Sequence, residues 1–181
     1  MTLTLALIGC SGMNAQSAHM VFERANDVGF DAYVAAYTDS DNATSRDSAD
    51  FLWTPQDDGF TFEGTVEGTS DWTGTVELLG EASWTANSWS GSWSIEYIDV
   101  LADGVGLDGG LTWTLDLEGD HDSGRLEFGV QGEITATGDA EGTGPVDYTA
   151  VAEITSNSFS FSAEGSVDGT PIDSSFTLTV L

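Results

Sequence analysis

The chain has 181 residues, 40% of them hydrophobic and 10% aromatic, and it contains six Trp, 22 Gly and three Pro. Its length suits a single domain, and its apolar content is too high for a disordered chain. Thirty-one acidic residues face three Arg and no Lys, so the net charge of −28 makes nucleic acid and anionic lipid headgroups implausible partners. We expect a monomer whose charge reflects a salty habitat or, alternatively, binding of divalent cations or a cationic partner.

A short apolar run over residues 3–8 precedes the only cysteine, Cys10. The run is too short to span a bilayer, which takes about 20 residues, and it has the character of the end of a signal peptide. The motif Leu7-Ile8-Gly9-Cys10 resembles the lipobox of bacterial lipoproteins. A buried free cysteine in a short N-terminal strand is the alternative.

The lipoprotein resemblance implies that residues 1–9 are a signal-peptide remnant and that residues 10–17 form a lipidated tether. The thiol of Cys10 would carry acyl chains such as palmitate, and Ser11 at the sorting position would direct the protein to the outer membrane. The resemblance therefore implies a lipoprotein of the bacterial cell envelope. No Lys or Arg precedes Arg24, which departs from the positively charged start of such signals.

Residues 18–38 carry a helical pattern, and we expect the domain to extend from residue 18 to residue 181. Apolar residues recur at spacings of three and four, at Ala18, Val21, Phe22, Ala25, Val28, Ala32, Tyr33 and Ala36. Ser17 is a suitable N-cap, and Gly29 is expected to weaken the helix or to divide it in two. Residues 29–37 also alternate, so a strand is the alternative there.

An acidic segment, residues 39–50, contains no large apolar side chain and is predicted to be a loop. Asp39, Asp41, Asp47 and Asp50 fall near ligand positions of a calcium-binding loop, but Thr44 occupies the place that needs glycine. A solvated linker is therefore preferred to a calcium site. The apolar residues 51–53 that follow are expected to form an edge strand or a cap on the core.

Residues 59–181 alternate between apolar and polar side chains, which predicts an antiparallel β-meander. Nine strands are expected, at residues 59–68, 72–78, 82–86, 89–97, 111–117, 126–136, 146–154, 159–167 and 172–180. Gly80-Glu81, Asn87-Ser88, residues 103–110 and Asp168-Gly169 are predicted to separate strands. The meander is expected to close as a soluble, lipocalin-like barrel or to form a sandwich, with one N-terminal helix.

No catalytic signature stands out, so we expect a protein that is not an enzyme and needs no cofactor. His19 and His121 lack a second His at ligand spacing, and no metal site is predicted beyond the weak calcium candidates. A structural or interaction role in the envelope is one hypothesis. Binding of a small apolar ligand or lipid inside the barrel, and carbohydrate binding or hydrolysis, are the others. The candidate ligand-facing aromatics are Trp84, Trp89, Trp93 and Trp113.

Overall fold

The structure of the protein, a computed structural model, describes residues 13–41, 49–68, 71–119, 123–156 and 158–179. One helix, α1, covers Ala15–Asp41 and precedes all the strands of the described residues. The strands are β1 (Ala49–Gln56), β2 (Gly59–Glu67), β3 (Trp72–Trp84), β4 (Ser88–Ala102), β5 (Val105–Gly119), β6 (Ser123–Gly138), β7 (Gly142–Thr155), β8 (Ser158–Val167), β9 (Thr170–Pro171) and β10 (Ser174–Thr179).

The strands form one antiparallel sheet in chain order from β1 to β8, with β10 beside β8 and the two-residue β9 also paired to β8. This confirms the predicted antiparallel meander with one N-terminal helix. The sheet is open: within the described residues β1 and β10 are its edges and do not pair with each other. The predicted closure into a barrel is therefore not observed, and the strands do not divide into the two sheets of a sandwich.

The helix lies against the concave face of the sheet. It contacts β1 to β5 at one side and β8 and β9 at the other, so the sheet curves around it. The buried stripe of α1 consists of small side chains, which let the helix approach the strands closely: Ala18, Val21, Ala25, Val28, Ala32 and Ala36.

Gly29 does not divide the helix, which was one of the two outcomes expected from the sequence. It lies where α1 meets aromatic side chains of β4 and β5. A Cβ atom at this position would lie 2.7 Å from Oη of Tyr97 and 2.8 Å from Cζ2 of Trp113. The glycine is therefore needed for close packing of α1, and not for a bend in it.

The helix begins earlier than predicted, within the segment expected to be a tether. The side chain of Asn14, and not that of Ser17, caps it: Oδ1 of Asn14 accepts a 3.0 Å hydrogen bond from the backbone N–H of Ser17. Ser17 itself is buried. Just before the cap, the backbone N–H of Met13 donates to the carboxylate of Asp168, so the start of α1 is tied to the turn after β8.

One predicted strand break is absent, and another is shorter than predicted. β3 continues through Gly80, whose missing side chain leaves room for Cβ of Trp93 and for the ring of Phe62. The expected loop at residues 103–110 is reduced to a two-residue turn, because Asp103 and Gly104 both have positive φ angles, 45° and 82°. Such a turn joins two strands directly, so β5 already begins at Val105.

Other predicted features are present. Trp84 and Trp89 pair across the hairpin that was expected from the change of parity between β3 and β4. Asp168 and Gly169 form the predicted tight turn after β8, with φ angles of 49° and 72°. The apolar residues after the acidic segment lie in β1, an edge strand that contains Pro55, as a proline in a sheet requires.

Candidate functional site

The candidate site is an apolar groove between α1 and the concave face of β4 to β8. Aligned positions on this face change size from strand to strand. Leu115 of β5 pairs with Phe128 of β6, which pairs with Ala150 of β7. In the neighbouring row Leu126 pairs with Ala152. Large side chains on β5 and β6 thus stand beside alanines on β7, and this step leaves space under the helix.

The groove has a volume of about 920 Å³. It therefore lies in the range of small-molecule sites, roughly 300–1,000 Å³. Most of its lining is aromatic or aliphatic. The apolar residues that line it are Phe22, Val28, Phe30, Tyr33, Trp72, Trp89, Trp93, Ala102, Trp113, Leu115, Leu126, Phe128, Tyr148, Ala150, Ala152 and Phe161.

A row of aromatic rings crosses the groove from α1 to β6. Tyr33 of the helix stacks on Trp93, with ring centroids 5.3 Å apart. Trp93 packs at 6.2 Å against Trp113, whose ring meets Phe128 edge to face at 5.1 Å. Nearer the start of α1, the ring centroid of Phe22 lies 4.5 Å from that of Tyr148. These contacts fix a rigid aromatic wall.

The four tryptophans predicted to face a ligand divide into three groups. Trp93 and Trp113 are buried and line the groove, and Trp89 is half-buried and also lines it. Trp84, at the end of β3, is 42% exposed, packs against Phe60 and is not part of the groove. It is the one exposed Trp among the six, all of which lie in described residues, so the pair of exposed rings that a sugar platform needs is not present.

Three indole groups in the groove lining are buried without a hydrogen-bond partner. The Nε1 atoms of Trp72, Trp93 and Trp113 donate to no atom of the described residues, and each side chain is at most 6% exposed. Buried polar groups are nearly always paired. Burial also raises the pKa of Tyr148, another residue of the groove lining.

Acidic side chains also belong to the lining of the groove, and all of them are exposed. Five carboxylates and a single guanidinium belong to its lining: Glu23, Asp27, Asp31, Asp71, Asp103 and Arg24. They come from α1 and from the residues that flank β3 and β4. Arg24 binds Asp27 at 3.1 Å and Asp103 at 3.2 Å, so it links the helix to the turn after β4.

The sequence suggested the aromatic residues of the groove but missed the two alanines that form its floor and the carboxylates of its lining. Ala150 and Ala152 looked like ordinary strand positions, and only their register beside Leu126 and Phe128 gives them a role. The signal that could have found them is a run of small residues on the apolar face of β7. Asp71 and Asp103 appeared as turn residues, and their nearness to α1 depends on the curvature of the sheet.

The remaining candidates do not belong to the groove. His19 lies on α1 and contacts Glu23 at 3.2 Å, while His121 and Cys10 lie outside the described residues. For the calcium candidates Asp39, Asp41, Asp47 and Asp50, the side chains also fall outside what is described. In the described part of the chain, no three His, Cys, Asp or Glu side chains are grouped so as to hold a metal ion.

Among the described residues, no helix combines the length and the apolarity that crossing a membrane requires. No protein-family model, curated protein or solved structure matches this chain.

Proposed function

We propose that the protein binds a small, largely apolar molecule in the groove between α1 and the concave face of β4 to β8. The observation that carries this proposal is a groove of about 920 Å³ that is lined mainly by aromatic and aliphatic side chains. Grooves of this volume with a mainly apolar and aromatic lining are typical binding sites of small molecules.

A ligand in the groove would bury side chains that are still partly exposed to water. Trp89, Leu126, Phe128 and Phe161 are only half-buried although they face the inside of the sheet. Each square ångström of apolar surface that a ligand removes from water is worth about 25 cal/mol. A ligand that covers these four side chains would thus bind through the same effect that stabilises the core.

A few polar contacts would fix the orientation of the ligand. The indole N–H groups of Trp93 and Trp113 have no acceptor among the described residues. A hydroxyl, ether or carbonyl oxygen on the ligand would accept from them, and pairing a buried donor is worth about 1–3 kcal/mol. An apolar body with one or two oxygen atoms is the chemistry that fits this lining.

The proposal is tested by filling the groove from its floor. Ala152→Phe would place a ring in the space beside Leu126, whereas Val151→Phe, the adjacent position on the convex face, adds the same ring outside. We expect the neutral fluorescent probe N-phenyl-1-naphthylamine to bind the unmodified protein and Val151→Phe with similar affinity. Its affinity for Ala152→Phe should fall at least about tenfold, or about 1.4 kcal/mol.

Equal binding of the probe by both variants would place it elsewhere on the protein and would contradict the proposal. If the unmodified protein binds no probe, a structural or interaction role in the envelope is the better account. Thermal unfolding of both variants establishes that each is folded before binding is compared.

We further propose that the protein is held at the bacterial outer membrane by acyl chains on Cys10. This rests on the lipobox-like motif in the sequence. Multiple chains would make the anchor stable, since each buried CH₂ contributes about 0.8 kcal/mol. Metabolic labelling with a palmitate analogue should mark the unmodified protein and not Cys10→Ala. Equal labelling of both would refute acylation at this residue.

A further inference from the structure

We infer that the ligand is an uncharged molecule with one long, unbranched hydrocarbon chain, and that this chain lies beside α1 and runs across β4 to β8. The inference rests on the proposed function, which leaves the shape and the charge of the ligand open. It concerns only the aromatic side of α1, the side that carries Phe22 and Tyr33. The rows of side chains on this side give the direction and the length of the chain.

The helix crosses the strands and does not follow them. Phe22 packs against Tyr148 of β7, and Tyr33 stacks on Trp93 of β4. From Phe22 to Tyr33 the helix rises about 16 Å. The distance from β7 to β4, measured through the strands between them, is about 14 Å at the usual strand spacing. The two lengths agree, so this part of α1 runs across the strands.

The lining on this side consists of rows of side chains that run in the same direction. The row under the helix contains Trp93 and Tyr148. The middle row, next to it, consists of Leu115, Phe128 and Ala150, which pair with one another from β5 to β7. Because the large residues give way to alanine on β7, this row leaves most space beside α1 at its β7 end.

The outer row gives the length of the groove. It runs from Trp89 on β4 through Leu126 and Ala152 to Phe161 on β8, which is about 19 Å at the usual strand spacing. An extended chain of twelve carbon atoms is about 15 Å long, because each C–C bond of about 1.5 Å advances it by about 1.3 Å. Such a chain fits along the row, whereas a compact molecule of the same size would leave part of it uncovered.

The chemistry of the rows favours a ligand without charge. None of the three rows contains an Asp, Glu, Lys, Arg or His residue. Both arginines of the described residues already bind carboxylates elsewhere: Arg24 binds one in the turn after β4, and Arg125 binds one on the convex face. A charged group buried among these rows would therefore have no partner, and burying an unpaired charge is costly.

The indole N–H groups of Trp93 and Trp113 indicate which way the chain points. Both are buried donors without an acceptor among the described residues, and they lie at the β4–β5 end of the rows. A hydroxyl, ester or amide oxygen of the ligand can accept from one of them. The polar end thus lies beside these indoles, and the chain extends over Ala152 toward Phe161.

The inference is tested with two alcohols of equal carbon number, dodecan-1-ol and cyclododecanol. Each is titrated, within its aqueous solubility, against N-phenyl-1-naphthylamine bound to the unmodified protein. We expect dodecan-1-ol to displace the dye with a Kd at least about tenfold below that of cyclododecanol, because only the open chain covers the whole outer row. Dodecanoate and dodecylammonium, compared in about 1 M NaCl to screen the charge of the protein, should each bind at least about tenfold more weakly than dodecan-1-ol.

Cyclododecanol or a charged probe that binds as tightly as dodecan-1-ol would overturn the inference. It would leave the proposed function in place, because the groove would still hold an apolar molecule. If neither alcohol displaces the dye, no apolar molecule of this size enters the groove, and the proposed function fails together with the inference.

A second measurement locates the chain with the variants Ala152→Phe and Val151→Phe. Octan-1-ol, about 10 Å long, reaches from Trp93 on β4 to Phe128 on β6 but not to β7. In the unmodified protein and in Val151→Phe, dodecan-1-ol should bind at least about thirtyfold more tightly than octan-1-ol, since each added CH₂ contributes up to about fourfold.

In Ala152→Phe this ratio should fall below about fivefold, while the Kd of octan-1-ol changes by less than about threefold. Tryptophan fluorescence follows the binding directly, because Trp89, Trp93 and Trp113 line the groove. If Ala152→Phe weakens both alcohols equally, the ligand does not extend from β4 to β7 and the inference is overturned.

Discussion

Gly29 is the residue on which the approach of α1 to the sheet depends. Glycine in the middle of a helix normally costs about 1 kcal/mol relative to alanine, so Gly→Ala is usually stabilising. Here a Cβ would lie 2.7 Å from Oη of Tyr97 and 2.8 Å from the ring of Trp113. We predict that Gly29→Ala instead lowers the free energy of unfolding by about 1–3 kcal/mol, because the helix must move away from the strands.

Val34→Ala provides the matched control for this prediction. Val34 lies on the same helix, is 40% exposed, and is also a weaker helix former than alanine. Its replacement should leave stability unchanged or raise it slightly in a urea titration. A stabilising effect of Gly29→Ala would show that α1 does not lie as close to β4 and β5 as described.

Tyr97 makes stability depend on pH in the alkaline range. Its hydroxyl donates a 2.7 Å hydrogen bond to the carbonyl of Ala25, and burial raises its pKa far above the ordinary value near 10. The unfolded chain can therefore lose this proton above pH 10 while the folded protein keeps it. The contribution is fully present below pH 10 and is lost as the pH rises, by at most about 1.4 kcal/mol per pH unit.

We predict that Tyr97→Phe is less stable than the unmodified protein at pH 7, by about 1 kcal/mol, because the hydrogen bond is lost. Between pH 10 and pH 12 the difference should shrink or reverse, since phenylalanine does not ionise. Urea unfolding at a series of pH values measures this directly. A constant difference between the two proteins at all pH values would contradict the burial of Tyr97 under α1.

At the scale of the elements, alternation in the sequence predicts the strands well because one face of the sheet is buried. The pattern in residues 126–136 corresponds to β6, the longest strand of the described chain. The incorrect strand break was predicted from a glycine. Gly80 reads as a turn residue in isolation, yet it sits inside β3 because Trp93 of the next strand needs its space.

The helix, too, could be predicted only in part from its local sequence. The stripe from Ala18 to Ala36 predicts its buried face, but whether Gly29 bends it depends on Tyr97 and Trp113, residues far along the chain. The candidate site follows this rule too. Trp89, Trp93 and Trp113 were predictable as inward-facing aromatics, whereas the hollow beside them depends on the register of β6 against β7, which no local pattern encodes.

At the scale of the whole molecule, many carboxylates lie on the convex face of the sheet, and some stand opposite one another on neighbouring strands. Glu77 of β3 pairs directly with Glu96 of β4, and Asp116 of β5 with Glu127 of β6, all outside the groove. Like charges at directly opposed positions destabilise a sheet. The repulsion between them is screened by salt, because the Debye length falls from about 30 Å at 0.01 M to about 3 Å at 1 M.

We predict that raising NaCl from about 0.01 M to 1 M increases the Tm by several degrees, about 5 °C. Glu77→Gln should stabilise the protein at low salt by about 0.5 kcal/mol, and this gain should disappear at 1 M. Glu164→Gln removes the same charge from a position opposite Thr149 and should have a smaller effect. A Tm that does not respond to salt would mean that these carboxylates do not oppose one another as described.

The central claim concerns the groove, and the position of a bound ligand tests it most directly. We suggest a crystal structure of the protein with 12-bromododecan-1-ol, whose bromine is located by its anomalous scattering. The account predicts the hydroxyl beside Trp93 or Trp113 and a bromine peak in the groove among Leu126, Ala152 and Phe161. Bromine found only outside the groove, or side chains that close the space under α1, would contradict it.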